Sequence, residues 1–213
     1  MSIAATEPTK TPPKNEMRLQ IPVFFIILLV LIHLCYLQNT SHSITFVEVN
    51  DKKNITIAFT GHRHYDGRAD EVLYALLEEL YREGYRRFLS GMSWGFDLAA
   101  AEQVVRLRQA YSDVILVAVE PFVGFRYLFR GADAERYDNI IGSADVKVCV
   151  GEDTGAKGYF ARNRYLVEHS SHIVAWWNGI RRGGTHYTVK RALREGYSVD
   201  NLYIAEDTLF GEM

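Results

Sequence analysis

The chain is expected to be an α/β protein, a Rossmann-like three-layer sandwich around a mainly parallel sheet, preceded by an N-terminal apolar helix. Three observations predict this. Short runs rich in β-branched and aromatic residues recur from residue 55 onward, segments of helical periodicity separate them, and glycine-bearing turns follow several of the runs. Runs that are apolar throughout suit strands covered on both faces. Strands joined through helices pair in parallel by right-handed crossovers, which places a ligand at their carboxyl ends.

Residues 1–18 hold three of the five prolines together with Thr, Lys and Glu. Such a composition buries too little apolar surface to offset ordering, so a disordered tail is expected. From Leu19 to Val47 there is no Asp, Glu, Lys or Arg, and the stretch from Ile21 to Leu37 (IPVFFIILLVLIHLCYL) is nearly all apolar. That approaches the length of a bilayer core, so residues 19–40 form a candidate membrane anchor and residues 41–53 a linker. A signal peptide, a lipoprotein signal and a misplaced start are the competing readings. No Ala-x-Ala-like site follows, and Leu34 before Cys35 is bulky where a lipoprotein signal wants a small residue.

The globular part is expected over residues 54–208. Strands are expected at 55–59, 88–89, 114–119, 146–150, 173–177 and 202–205. Residues 68–83 place Val72, Leu73, Leu76, Leu77 and Leu80 on one helical face and stop at Gly84. Residues 97–110 begin with Asp97, a capping-type residue, and continue through an Ala/Val/Leu stripe. Further helices are expected at 133–143, 158–170 and 185–195; no internal repeat appears.

With 213 residues, 48% hydrophobic and 23% charged, the chain can bury one sizeable core. A net charge of −2 disfavours extended binding to nucleic acid, although Arg181-Arg182 can still meet one phosphate. The two cysteines, Cys35 and Cys149, have no partners at metal spacing and read as buried thiols, so neither a disulfide nor a metal site is expected.

Two turns read as phosphate cradles: Thr60-Gly61-His62-Arg63 after the first strand, and Gly183-Gly184-Thr185 after the fifth. A strand that ends in glycine and opens into a helix aims free N–H groups and a positive helix end at one spot. Two such turns point to a nucleotide-type ligand. His62 and Arg63 add imidazole and guanidinium donors. In the loop from Gly91 to Asp97, Gly91 and Gly95 let backbone approach a ligand, with Ser93 between them. Asp97 either caps the following helix or accepts a ribose hydroxyl; Trp94 either stacks on a base or plugs a gap. Glu102 reads as a solvated helix residue.

Taken together, Thr60-Gly61-His62-Arg63, Ser90-Gly91-Met92-Ser93-Trp94-Gly95-Phe96-Asp97 with Ala100-Ala101-Glu102, Pro121-Phe122, Arg162-Asn163-Arg164, and Trp177-Asn178-Gly179 with Gly183-Gly184-Thr185 resemble the YpsA-like branch of the SLOG superfamily. Order and spacing match through residues 54–205; the first 50 residues lie outside the resemblance. The superfamily includes the DNA-processing protein DprA and the LOG phosphoribohydrolases. The resemblance implies a Rossmann-like fold and a nucleotide-derived ligand, and extends the candidate contacts to Pro121, Asn163, Asn178 and Gly179. Arg162, near a helix start before the Gly-Gly-Thr turn, is placed like the LOG arginine that contacts phosphate; a surface helix arginine is the alternative.

The LOG motif ends in Thr-x-x-Glu, whereas Thr188 stands at the glutamate position here, as threonine does in DprA-like proteins. LOG-type cleavage is therefore not expected, because the developing oxocarbenium loses its evident carboxylate. The leading expectation is a nucleotide-ligand sensor with no evident cofactor. A nucleotide-processing hydrolase and a DprA-like single-strand DNA module are the alternatives; a nucleic-acid partner is not expected, and self-association is left open. Flanking charges, Lys10, Lys14 and Arg18 against Lys52 and Lys53, slightly favour exporting the domain. A nucleotide ligand instead places the domain in the cytoplasm, tethered to the inner membrane by the apolar segment or soluble if the true start lies near Val47 or Val49.

Overall fold

The computed structural model describes residues 52–204 apart from Asp153. The expected tail, the apolar segment from Ile21 to Leu37 and most of the linker lie outside the described residues. Among the described residues, no helix is long and apolar enough to cross a membrane.

Six strands form one all-parallel sheet: β1 (Thr56–Gly61), β2 (Arg87–Ser90), β3 (Ile115–Glu120), β4 (Val146–Cys149), β5 (His172–Trp176) and β6 (Ser198–Asn201). Five helices connect them: α1 (Asp70–Arg82), α2 (Phe96–Ala110), α3 (Gly131–Ser143), α4 (Ala156–Glu168) and α5 (Gly183–Arg194). The spatial order is β4-β3-β2-β1-β5-β6, so the chain winds one way from β1 to β4 and then returns to the other side of β1. That reversal leaves a crevice between the carboxyl ends of β1 and β5, with Gly61 opposite Trp176 in the ladder.

Alternation of side chains divides the core into two layers. Ile57, Phe59, Phe88, Leu116 and Val174 pack with Leu73 and Leu77 of α1, Val104 and Leu107 of α2, and Tyr137 of α3. Ala58, Leu89, Val117, Ile173 and Ala175 face Leu166 and Val167 of α4 and Val189 of α5. Burying each large apolar side chain contributes about 1.5–3 kcal/mol, which is why these runs carry so few polar residues.

Four expectations are corrected. Val72 is 53% exposed, because the buried stripe of α1 is centred on Leu73, Leu77 and Leu80. The last strand is Ser198–Asn201 rather than residues 202–205: β6 is an edge strand that tolerates polar residues, while Leu202 and Tyr203 are apolar because they pack on the core beyond it. Cys149 is exposed, since β4 is the opposite edge. Glu102 is not merely solvated; its carboxylate accepts from Arg136 Nε and Nη2 at 2.7 and 2.8 Å, tying α2 to α3.

Asp145 anchors the entry to β4. Its Oδ2 accepts from the Leu116 N–H at 2.8 Å and from Arg108 Nη1 at 2.7 Å. Asp145→Ala is expected to lower stability by about 1 kcal/mol, given its partial exposure. Urea unfolding checks this; an unchanged midpoint rejects it.

Candidate functional site

The crevice between β1 and β5 opens into a cleft of about 360 Å³. The end of β1 supplies Thr60, Gly61, His62 and Arg63; the loop before α2 supplies Ser93 and Asp97; α4 supplies Ala156, Tyr159, Phe160, Arg162 and Asn163; and the start of α5 supplies Arg182, Gly183, Gly184 and Thr185. Two helix N-termini therefore meet the same cleft, each with free N–H groups and a positive end. Neither α4 nor α5 has a side-chain cap at that end.

The α5 turn is tied to β1 by Thr185, whose Oγ1 donates to the Gly61 carbonyl at 2.9 Å. Gly183 sits at φ +83°, a conformation that favours glycine, and Gly184 stands so close to Asn163 that a Cβ there would lie 2.8 Å from Nδ2. Asn163 is 5% exposed, and its side chain makes no hydrogen bond among the described residues. Its amide thus lines the cleft with donor and acceptor capacity unused.

Arginines dominate the charge. The Arg63 guanidinium lies over the Trp94 ring at 4.2 Å and the Tyr159 ring at 5.4 Å, a cation–π cradle that orients it without neutralising it. Among the described residues, neither Arg63 nor Arg182 makes a side-chain hydrogen bond or ion pair. Among the described residues, Asp97 is the single carboxylate lining the cleft.

Arg162 is neither a surface arginine nor an uncommitted phosphate hook. It lies within α4, 5% exposed, and donates from Nη1 to the Gly91 carbonyl and to Asp97 Oδ2, and from Nη2 to Ser93 Oγ at 3.1 Å. Asp97 is likewise not the helix cap. Gly95 occupies that position, and the Asp97 carboxylate turns inward against Arg162 at 3.2 Å. Burial pushes the Asp97 carboxyl up to about 6, opposed by the Arg162 charge and by backbone N–H groups at Ser93 and Gly61. Burial also pulls the Arg162 guanidinium below its ordinary value, opposed by Asp97. Desolvation leads on both sides, so the pair shapes the loop at a cost in stability.

The loop glycines serve packing as much as any ligand. A Cβ on Gly91 would run into Arg162, and one on Gly61 into the Phe96 ring. Directly after Gly91, Met92 holds φ +58°, the single positive φ of a non-glycine among the described residues; it is fully buried. Its N–H donates to Ser90 Oγ at 3.1 Å, and that hydroxyl donates to the Asp97 carbonyl at 2.8 Å. The strain sits where the loop turns into the site.

Six expected contacts stand outside the cleft lining: Gly91, Trp94, Gly95, Pro121, Asn178 and Gly179. Trp94 carries Arg63 on its face and meets Phe129 edge-on at 5.5 Å. Asn178 clasps His62, its backbone N–H donating to Nε2 at 3.1 Å, and its Oδ1 accepts from the Ile180 N–H. Gly179 forms the next turn at φ +83°, and Pro121 ends β3 away from the cleft. Sequence reasoning missed Tyr159 and Phe160. Ala156, Tyr159, Phe160 and Asn163 recur at i, i+3, i+4 and i+7, a spacing that marks one helical face and could have found them.

Comparison with known proteins agrees with this fold. The YpsA family model, described as the YspA SLOG family, matches residues 57–206. A UPF0398 protein of Staphylococcus epidermidis is 24% identical over 145 residues, covering 62% of this chain and 77% of that protein. One from Halalkalibacterium halodurans is 26% identical over 136 residues, covering 61% and 70%. Among solved structures, DNA processing protein A from Streptococcus pneumoniae superposes with a TM-score of 0.53 at 22% identity, over 69% of this chain but half of that one. The same protein from Helicobacter pylori, described for its single-stranded DNA binding mode, gives 0.52 at 16% identity, over 76% of this chain and 73% of that one. With the family pattern spanning the sheet, its helices and every loop of the cleft, the chain belongs to the YspA SLOG family.

Proposed function

We propose that the domain is a binding module for a small phosphate-bearing, nucleotide-derived ligand, acting as a sensor rather than a hydrolase. One observation carries this reading: the free N–H groups at the start of α5 share a cleft with Arg63 and Arg182, two guanidinium groups that make no side-chain hydrogen bond or ion pair among the described residues, Asp97 acting on Arg63 only at a distance. Glycosidic cleavage needs a pair of acids. Thr188 is fully buried and donates from Oγ1 to the Gly184 carbonyl at 3.0 Å, and among the described residues Asp97, held by Arg162, is the lone carboxylate lining the cleft. Two-carboxylate chemistry has no second member among the described residues there.

Calorimetric titration of the purified chain with ribose 5-phosphate and nucleoside monophosphates tests the reading, with chromatography of the same mixtures for released base. Binding without base formation is expected; steady base release favours the hydrolase. Gly184→Val is expected to weaken binding roughly tenfold or more, because the added side chain crowds Asn163 and the phosphate path while leaving the helix intact. Equal affinity in this variant moves the site elsewhere. A net charge of −2 argued against nucleic acid, but the DprA-like fold and the single-stranded DNA binding described for the Helicobacter pylori protein weaken that exclusion. A labelled oligothymidine belongs in the same series; tight, salt-sensitive binding to it, with none to monophosphates, favours a DNA module.

A further inference from the structure

Phe160 touches one neighbouring ring yet leaves about half of its surface open. The side chain is 49% exposed, costly for a large aromatic, yet it lines the cleft. Its ring meets Tyr187 of α5 edge-on at 5.3 Å and 79°, so its orientation is set by a neighbouring helix. Trp94, the aromatic expected to stack on a base, is occupied by Arg63.

The position of Phe160 relative to Asn163 gives the cleft a direction. Asn163, 5% exposed, lies beside the α5 N-terminus with its amide lining the cleft and making no hydrogen bond among the described residues, and marks an anion end. Phe160 is three residues earlier on the same helix, about 4.5 Å along the axis, and marks an apolar, planar end. In a nucleoside monophosphate the phosphate and the base are likewise set apart by one sugar.

Resting on the phosphate-ligand reading above, we propose that Phe160 is the stacking platform for the heterocycle of a nucleoside monophosphate-class ligand whose phosphate sits at Asn163 and the start of α5. Phe160 offers a π-face and no hydrogen-bonding group, so it selects by ring area, purine over pyrimidine, rather than by base edge.

The test is calorimetric titration of the full chain and of Phe160→Ala, Phe160→Leu and Phe160→Trp with ribose 5-phosphate, AMP and CMP, with unfolding midpoints confirming that each variant folds. The parent is expected to bind AMP more tightly than ribose 5-phosphate by roughly 5–150-fold, the range stacking supplies, with CMP between them. Phe160→Ala and Phe160→Leu should lose that advantage while keeping affinity for ribose 5-phosphate; Phe160→Trp should retain it. The proposal is overturned if the Ala and Leu variants keep the AMP advantage, or if they lose ribose 5-phosphate in equal measure. Should the parent bind ribose 5-phosphate but AMP no better, stacking alone fails. A parent that binds none of the three removes the phosphate-ligand reading and this proposal with it.

Discussion

Arg162→Ala is expected to cost about 3–5 kcal/mol of folding stability at pH 8, because it removes one half of a buried ion pair and leaves the other uncompensated. The side chains of Arg162 and Asp97 are 7% and 6% exposed, and the same guanidinium also holds the Gly91 carbonyl and Ser93 Oγ. Protonation relieves part of the loss. The Asp97 carboxyl already stands at about 6 in the folded chain against an ordinary 3.8, so between those values the native state binds more protons than the unfolded one. Its contribution to stability therefore falls as pH rises through that window, and without Arg162 the carboxyl moves higher still. The deficit of Arg162→Ala should shrink from pH 8 to pH 5, and Arg162→Ala with Asp97→Asn should be more stable at pH 8 than Arg162→Ala alone. Denaturant unfolding at both values decides it; a deficit independent of pH removes Asp97 from the account. One consequence follows for binding studies: Arg162→Ala perturbs the loop before it perturbs any ligand, which makes Gly184→Val and Phe160→Ala the cleaner probes.

Gly95→Ala is expected to destabilise by roughly 2–4 kcal/mol, a lowering of the melting temperature by about 4–16 °C in a domain of this size. Two effects add. Gly95 sits at φ +86°, where a Cβ is strained whatever its surroundings, and that Cβ would fall within 2.6 Å of the His62 carbonyl oxygen and closer still to that of Arg63. Both obstacles are backbone, so neither can rotate away. The Phe96 N–H also donates to the His62 carbonyl at 3.2 Å, which binds this turn to the turn after β1. Calorimetric melting tests the value, and a shift under 2 °C contradicts the crowding.

The alternation of strand and helix was legible because backbone hydrogen bonding and two-sided burial impose it locally. Runs such as Ile57 to Phe59 and Val117 to Val119 are apolar since each face of the sheet is covered, and Gly84 ends α1 at φ +107° as a helix stop should. The two glycine turns after β1 and β5 were legible for the same reason, since a turn between strand and helix is local geometry. The edge strand β6 was harder: it pairs on one side only, so its composition relaxes and the pattern that marks buried strands fades, whereas β4 at the opposite edge was still legible.

What the sequence by itself determined is the fold and the family, and it marked the ends of β1 and β5 as the place of the candidate site. Tertiary structure alone decided which side chains face that place. Arg162 and Phe160 are two residues apart on one helix, yet the first is buried as a strut for the Gly91 loop and the second is exposed along the cleft. The choice depends on how α4 is rotated against the sheet and on how closely Gly91 and Gly184 let it approach. Those are contacts between residues distant along the chain; the local spacing groups Ala156, Tyr159, Phe160 and Asn163 on one helical face but does not say which way that face turns.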